Sequence, residues 1–143
     1  MFKEDKIMDF LARAIIAGTG VAGLIAPALA ADLTGPEIKA LLSGKSVYVE
    51  TTAASASGQP GQGVIYWAED GTALYKTPSG AIMHGKWEIK GNTNCTDWKE
   101  RPNTACTRYD KVGDTVTVFD TASGQVRAKI VKTAPGNAEK LAP

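Results

Sequence analysis

Between residues 46 and 132, apolar and polar residues alternate within short segments that end at glycine, asparagine, aspartate or serine. This period of two is the pattern of a β-strand with one buried face, and the interruptions have the length of hairpin turns. Gly85 predicts a bulge inside one long segment. An eighth strand is expected if residues 95–98 pair. The seven predicted strands are 46–52, 64–70, 72–78, 81–90, 105–110, 115–120 and 125–132.

Strands joined by such short turns predict an all-β antiparallel meander. A sheet of this kind hides one face and must protect its edges, and closure into a barrel achieves both. We therefore expect a small barrel of seven or eight strands, whose interior is filled by side chains or holds one small ligand. A short helix is expected before the first strand, because Pro36 suits a first helical position and Ile38, Leu41 and Leu42 share one face.

The first thirty residues differ from the rest of the chain. A short charged stretch is followed by seventeen uncharged residues, 14–30, which end in Ala28-Leu29-Ala30. This is the layout of a secretory signal with a small-x-small cleavage site. We predict a signal peptide at 1–30 and one small domain at 31–143. If residues 7–30 are instead retained as a helix, the protein is anchored in a membrane.

The chain has only two cysteines, Cys95 and Cys106, and they enclose ten residues. A zinc site would need two more ligands with suitable spacing, and His84 is the sole histidine. In an exported chain the economical prediction is a disulfide. The clamped loop would be either a rigid recognition loop or a solvated excursion whose tryptophan covers a barrel end. Its candidate interaction residues are Trp98, Lys99, Glu100 and Arg101.

Composition and motifs argue against several classes of function. With 16 basic and 15 acidic residues, the chain lacks the electrostatic footprint of a nucleic-acid-binding protein. A hydrolytic nucleophile would find only His84 as an ordinary base, there is no G-x-S-x-G motif, and the acids are scattered with no neighbouring pair that suggests a glycosidase. Met83 and His84 point to opposite faces of a strand, so they do not address one iron. The sequence therefore predicts no catalytic residue, metal or cofactor.

In the order of its short motifs, the chain resembles a family of small exported alphaproteobacterial proteins catalogued as a domain of unknown function. The resemblance covers most of residues 33–141. It implies a lipocalin-like barrel and a place in the periplasm of a Gram-negative cell or outside it, and it brings no catalytic residues. The motifs are "LTGPEIKALLSGK", "EDGTALY", "GKWEIKG", a cysteine, "DW", a second cysteine, "GDTVTVFD" and "APGNAEKL".

These features favour a non-enzymatic binding or protein-interaction module of the bacterial envelope. Its partner would be either a small apolar ligand in the barrel or an unidentified envelope protein at the disulfide loop. Two alternatives stay open, an inhibitor of a lysozyme or protease and a membrane-anchored accessory subunit whose small residues contact a partner helix. Aromatic side chains can wall an apolar pocket or simply fill a core. The candidate pocket aromatics are Tyr66, Trp67, Tyr75 and Trp87.

Overall fold

The computed structural model describes residues 31–101 and 104–143. The signal or anchor segment predicted at 1–30 lies outside the described residues. The described part of the chain forms nine strands and one helix. In chain order these are β1 (Ala31–Asp32), α1 (Gly35–Leu42), β2 (Lys45–Thr51), β3 (Gly61–Trp67), β4 (Thr72–Lys76), β5 (Ile82–Lys90), β6 (Thr93–Trp98), β7 (Ala105–Val112), β8 (Thr115–Asp120) and β9 (Val126–Pro135).

Strands β2 to β9 form a closed antiparallel barrel. The ladder runs β7-β6-β5-β4-β3-β2-β9-β8, and pairing of β7 with β8 closes the ring. The predicted barrel is confirmed with eight strands, because β6 pairs with both β5 and β7. The sequence did not predict β1. Its residues Ala31 and Asp32 pair with Lys111 and Asp110 on β7, beyond the residues that pair with β6.

Helix α1 closes the end of the barrel at which β2 begins. Ile38 and Leu42 are fully buried against the interior, as their shared helical face predicts. Thr34 and Glu37 form a capping box, in which each side chain accepts a hydrogen bond from the other residue's backbone N–H. The N–H of Gly35 donates to Asn92 Oδ1 at 2.9 Å, which ties the start of the helix to the turn between β5 and β6.

The opposite end of the barrel, which we call the rim, is formed by residues 52–60, 77–81, 99–101 and 121–125. The sequence "ASASGQPGQG" predicts a flexible loop within the first of these segments. A loop is confirmed there, although Gly61 to Gly63 belong to β3, and hydroxyl groups hold it in this position. Thr51 Oγ1 donates to the carbonyl of Gln59 at 2.7 Å, and the Ser57 hydroxyl lies 3.2 Å from the Tyr75 hydroxyl. The segment is folded over the mouth of the barrel.

The alternation breaks at two bulges in β9. The pairing with β2 shifts at Val131, which is 62% exposed, and the pairing with β8 shifts at Arg127. A bulge adds one unpaired residue and re-aims nearby side chains. Strict alternation with Val126 and Ala128 would put Arg127 on the solvent face of its strand, whereas Arg127 lines the barrel interior.

The bulge predicted at Gly85 does not form. Gly85 pairs regularly with Ala73 on β4 and with Trp98 on β6. A Cβ atom at this position would lie 2.8 Å from Cε3 of Trp98 and 2.9 Å from the carbonyl oxygen of Asp97. The glycine therefore makes room for the tryptophan ring and the neighbouring strand.

The last residues of the chain pack along the outside of β2. The Ser46 hydroxyl donates to the carbonyl of Gly136 at 2.7 Å and accepts from the N–H of Ala138 at 3.0 Å. The Tyr48 hydroxyl donates to Glu139, and Leu141 is buried. This segment, expected to be a plain tail, is thus part of the folded domain. No helix among the described residues is both long and apolar enough to cross a membrane.

Candidate functional site

The two cysteines form a bond on the outer wall of the barrel. Cys95 and Cys106 are directly opposite each other on β6 and β7, and their sulfur atoms are 2.08 Å apart. This confirms the predicted disulfide. The side chain of Thr96, one position along the strand, lines the interior, so Cys95 points outward by alternation. The bond therefore clamps the base of the hairpin from outside and leaves the core untouched.

The loop above the disulfide is tied to β5 by several hydrogen bonds. The N–H of Lys99 donates to the carbonyl of His84 at 2.7 Å. The Glu100 carboxylate accepts from the His84 N–H at 2.7 Å, and its other oxygen lies 3.0 Å from Nδ1 of the imidazole. Partial burial pulls the pKa of Glu100 upward, but the hydrogen bonds from His84 outweigh it, so this pKa lies below its ordinary value.

The structure divides the four candidate interaction residues into two groups. Lys99, Glu100 and Arg101 are exposed at the rim. Trp98 is only 5% exposed and faces inward from the last position of β6, where its ring lies 5.8 Å from that of Tyr75. Its assignment as a surface contact of the loop is wrong, because strand alternation carries its side chain into the core. Trp98 anchors the loop in the core, and the three charged side chains of the loop face the solvent.

A small apolar cavity lies inside the barrel beneath the rim. Its free volume is about 60 Å³, whereas pockets for drug-sized ligands have about 300–1,000 Å³. Ser55 and Ala56 cover it at the mouth, and Leu42 of the helix reaches it from the other end. The barrel interior is therefore nearly filled by its own side chains, and an acyl chain of ordinary length has no room in it.

Two of the four predicted pocket aromatics line this cavity. Trp67 and Tyr75 do, together with Trp98. Trp87 also points inward, but its indole N–H donates to the carbonyl of Ala68 at 2.9 Å and its ring does not reach the cavity. Tyr66 lies on the outer wall, because its strand neighbours Ile65 and Trp67 both face the interior. The prediction that Tyr66 and Trp87 line the pocket is therefore wrong.

The interior contains polar groups that sequence reasoning missed. Tyr109 is buried, and its hydroxyl accepts a hydrogen bond from Asn94 Nδ2 at 3.2 Å. Burial raises the pKa of this phenol. Nε1 of Trp67 and Nε of Arg127 are buried without a hydrogen-bond partner among the described residues. No local pattern in the sequence signals the inward arginine, since only the bulge in β9 turns it.

Within residues 31–101 and 104–143, no group of three histidine, cysteine or acidic side chains is arranged to hold a metal ion. No protein-family model, curated protein or solved structure matches the chain. The resemblance inferred from motif order therefore stays a prediction, and the function has to be argued from the site itself.

Proposed function

We propose that this protein is a non-enzymatic interaction module of the bacterial envelope, and that it binds a partner protein through Lys99, Glu100 and Arg101. The observation that carries the proposal is the way these exposed residues are held. A disulfide at the base of the loop, the buried ring of Trp98 and the hydrogen bonds to His84 hold them in place. Association costs less when the contacting segment is already ordered before it meets its partner.

The filled interior also favours a protein partner over a small apolar ligand. A barrel that carried an apolar ligand of ordinary size would need several times the free volume of about 60 Å³ seen here. The charged loop needs no rearrangement to present its side chains. Among the binding functions considered, protein interaction at the rim therefore fits the geometry better than transport of an acyl chain.

A photocrosslinking amino acid at position 99 or 101, introduced in the native envelope, tests the proposal. The matched control position is Glu50, which is exposed and lies on β2, four strands from β6 in either direction around the barrel. We expect a discrete crosslinked protein from positions 99 and 101 and none from position 50. Equal crosslinking from all three positions, or from none, would refute the proposal.

Inhibition of a lysozyme or protease would be a special case of this interaction. The disulfide at the base of the loop and the hydrogen bonds that hold residues 99–101 also suit an inhibitor, which must enter an active site without being ordered there. Titration of the protein against lysozymes and secreted proteases distinguishes the two. Inhibition that is lost when Lys99 and Arg101 are both replaced by serine would identify an inhibitor, and no inhibition at micromolar protein would remove this alternative.

Export remains a proposal as well. Among the described residues, the first strand, β1, includes Ala31, the residue that follows the predicted cleavage site. N-terminal sequencing of the native protein decides between the exported and the anchored form. A mature chain starting at Ala31 would support export to the periplasm or beyond, whereas a chain that keeps residues 7–30 would support the membrane-anchored accessory subunit.

A further inference from the structure

Among the described residues, Arg127 is the one cationic side chain that lines the apolar cavity. The β-bulge at this position turns it inward, while the next basic residue along β9, Lys129, faces solvent. Bulges are frequent at barrel rims and next to binding sites, where they re-aim a side chain. The arginine thus stands at the mouth of a pocket whose remaining walls are mostly aliphatic and aromatic.

The guanidinium group of Arg127 forms no ion pair within the described residues, and Asp120 feels its charge only from a longer distance. Its Nε is buried without a hydrogen bond, and no carboxylate of the described residues lies within ion-pair distance of it. The nearby Asp120 accepts its hydrogen bonds from the hydroxyl and N–H of Ser123 instead. The Arg127 side chain is half-buried, and its buried Nε–H costs free energy until an acceptor reaches it.

A second unpartnered donor lines the same cavity. Nε1 of Trp67 is buried without a hydrogen bond, although the indole N–H of Trp87 has one. Buried donors in native proteins are normally satisfied by the protein, by ordered water or by a ligand. The cavity therefore combines apolar walls with two lining residues that each carry a buried N–H donor without an acceptor among the described residues.

The free volume limits what such a ligand can be. An apolar cavity of about 150 Å³ holds benzene, which corresponds to roughly 25 Å³ per carbon atom. A volume of about 60 Å³ then accommodates an alkyl group of about two or three carbon atoms. Arginine binds carboxylates through two parallel hydrogen bonds, a geometry that an alcohol or an amide cannot reproduce.

We propose that the mouth of the barrel binds a short-chain monocarboxylate, with its alkyl group in the cavity and its carboxylate on Arg127. Ser55 and Ala56 cover the cavity, so the ligand enters when the segment 52–60 moves aside. The hydrogen bond between Ser57 and Tyr75 holds this segment in place. This site is separate from the protein contact proposed above, and either proposal can fail without the other.

Titration of the ¹⁵N-labelled full-length protein with butyrate, at constant ionic strength, tests the site. The indole resonance of Trp67 reports on the cavity, and that of Trp87, which is already hydrogen-bonded, serves as the internal reference. We expect a saturable shift at Trp67 with butyrate and binding of butanol that is weaker by about tenfold or more, because butanol lacks the charge. Octanoate should also bind more weakly, since its chain exceeds the cavity.

Two substitutions distinguish a specific role of Arg127 in butyrate binding from the general effect of removing a positive charge. Arg127→Met should weaken butyrate binding by about tenfold or more. Arg108→Met is the matched control, because Arg108 lies on the outer wall in an ion pair with Asp32, and it should leave binding unchanged. If Arg127→Met does not fold, Arg127→Lys keeps the charge without the paired geometry and should bind with intermediate affinity.

Several outcomes would overturn the proposal. They are the absence of a saturable Trp67 shift in the folded protein, equal affinities for butyrate and butanol, tighter binding of octanoate than of butyrate, and butyrate affinity that is unchanged in the folded Arg127 variants.

Discussion

Glu100 contacts His84 twice, through the backbone N–H at 2.7 Å and through the imidazole Nδ1 at 3.0 Å. This pair joins the loop that follows β6 to the middle of β5, on the outside of the barrel. The two side chains are 39% and 38% exposed, so water screens their attraction. The contact therefore contributes to the order of the loop more than to the stability of the barrel.

Replacement of Glu100 by alanine should free the loop and leave the barrel intact. We expect the free energy of unfolding to fall by less than about 1 kcal/mol, because the pair is exposed. NMR order parameters of the Lys99 and Arg101 amides should fall clearly. Glu88→Ala is the control, since Glu88 forms only a surface pair with Lys90 on the same wall. Unchanged order parameters in the Glu100 variant would contradict this role.

Acidification should have the same effect on the loop as that substitution. The pKa of Glu100 lies below its ordinary value in the folded protein. Its carboxylate therefore stabilises the folded loop above the ordinary pKa of about 4.3, and this contribution is lost as the pH falls through the lowered folded value. Loop order parameters measured across this acidic range should drop in the wild type and stay flat in Glu100→Ala.

Removal of the disulfide should destabilise the domain without changing its fold. Cys95 and Cys106 are 11 positions apart, and closing a loop of this length stabilises by about 3 kcal/mol in the chain-entropy model. Asn94 and Thr107 still pair beside the lost bond, so the strands remain in register. The double alanine variant should keep its β-type circular dichroism and unfold at lower denaturant. A spectrum without β-structure would contradict this expectation.

Gly35→Ala should destabilise the protein, although alanine is the better helix former. A Cβ atom at this position would collide with the carbonyl oxygen of Gly91, which is backbone and cannot turn away. We expect a loss of about 1–3 kcal/mol, the usual effect of overpacking, against a helix-propensity gain of about 1 kcal/mol. Lys39→Ala, on the exposed face of α1, is the control and should be nearly neutral. Chemical denaturation of both variants measures the difference, and a stabilised Gly35 variant would show that the helix is not tightly seated.

The domain should lose stability at alkaline pH through Tyr109. Burial raises the pKa of its phenol above the ordinary value of about 10. The folded state therefore holds this proton more tightly than the unfolded state, and stability declines as the pH rises above about 10. Denaturation at a series of alkaline pH values measures the effect. Tyr109→Phe should show a shallower decline, and an identical slope would rule out this group as the cause.

The alternation of residues predicted the strands, the hairpin turns and the closure of the barrel. It succeeded because a period of two and a short turn are local signals. Short turns make consecutive strands neighbours in the sheet, and no further signal is needed to order the eight strands. The alternation could not predict strand β1, because two residues such as Ala31 and Asp32 are too few to show a period. They pair with β7 because β6 leaves that part of β7 free.

The candidate site was less accessible to sequence reasoning. Alternation puts Arg127 outside, and only the bulge that offsets β9 from β8 turns it inward. Trp98 looked like a loop residue, because nothing in the sequence fixes where β6 ends. The disulfide was predictable from two cysteines in an exported chain, but its position on the outer wall depends on the register of β6 and β7.

Closure of the ring has a consequence for how this protein can be recognised. Each of the eight barrel strands is hydrogen-bonded to a neighbour on both sides, so the described part of the barrel leaves only short stretches of free edge, such as the end of β9 beyond Ile130. Partners that bind other sheets by adding a long strand find little room to do so here, and the same property hinders the edge-to-edge stacking that begins aggregation. Selectivity for a partner must then come mainly from side chains.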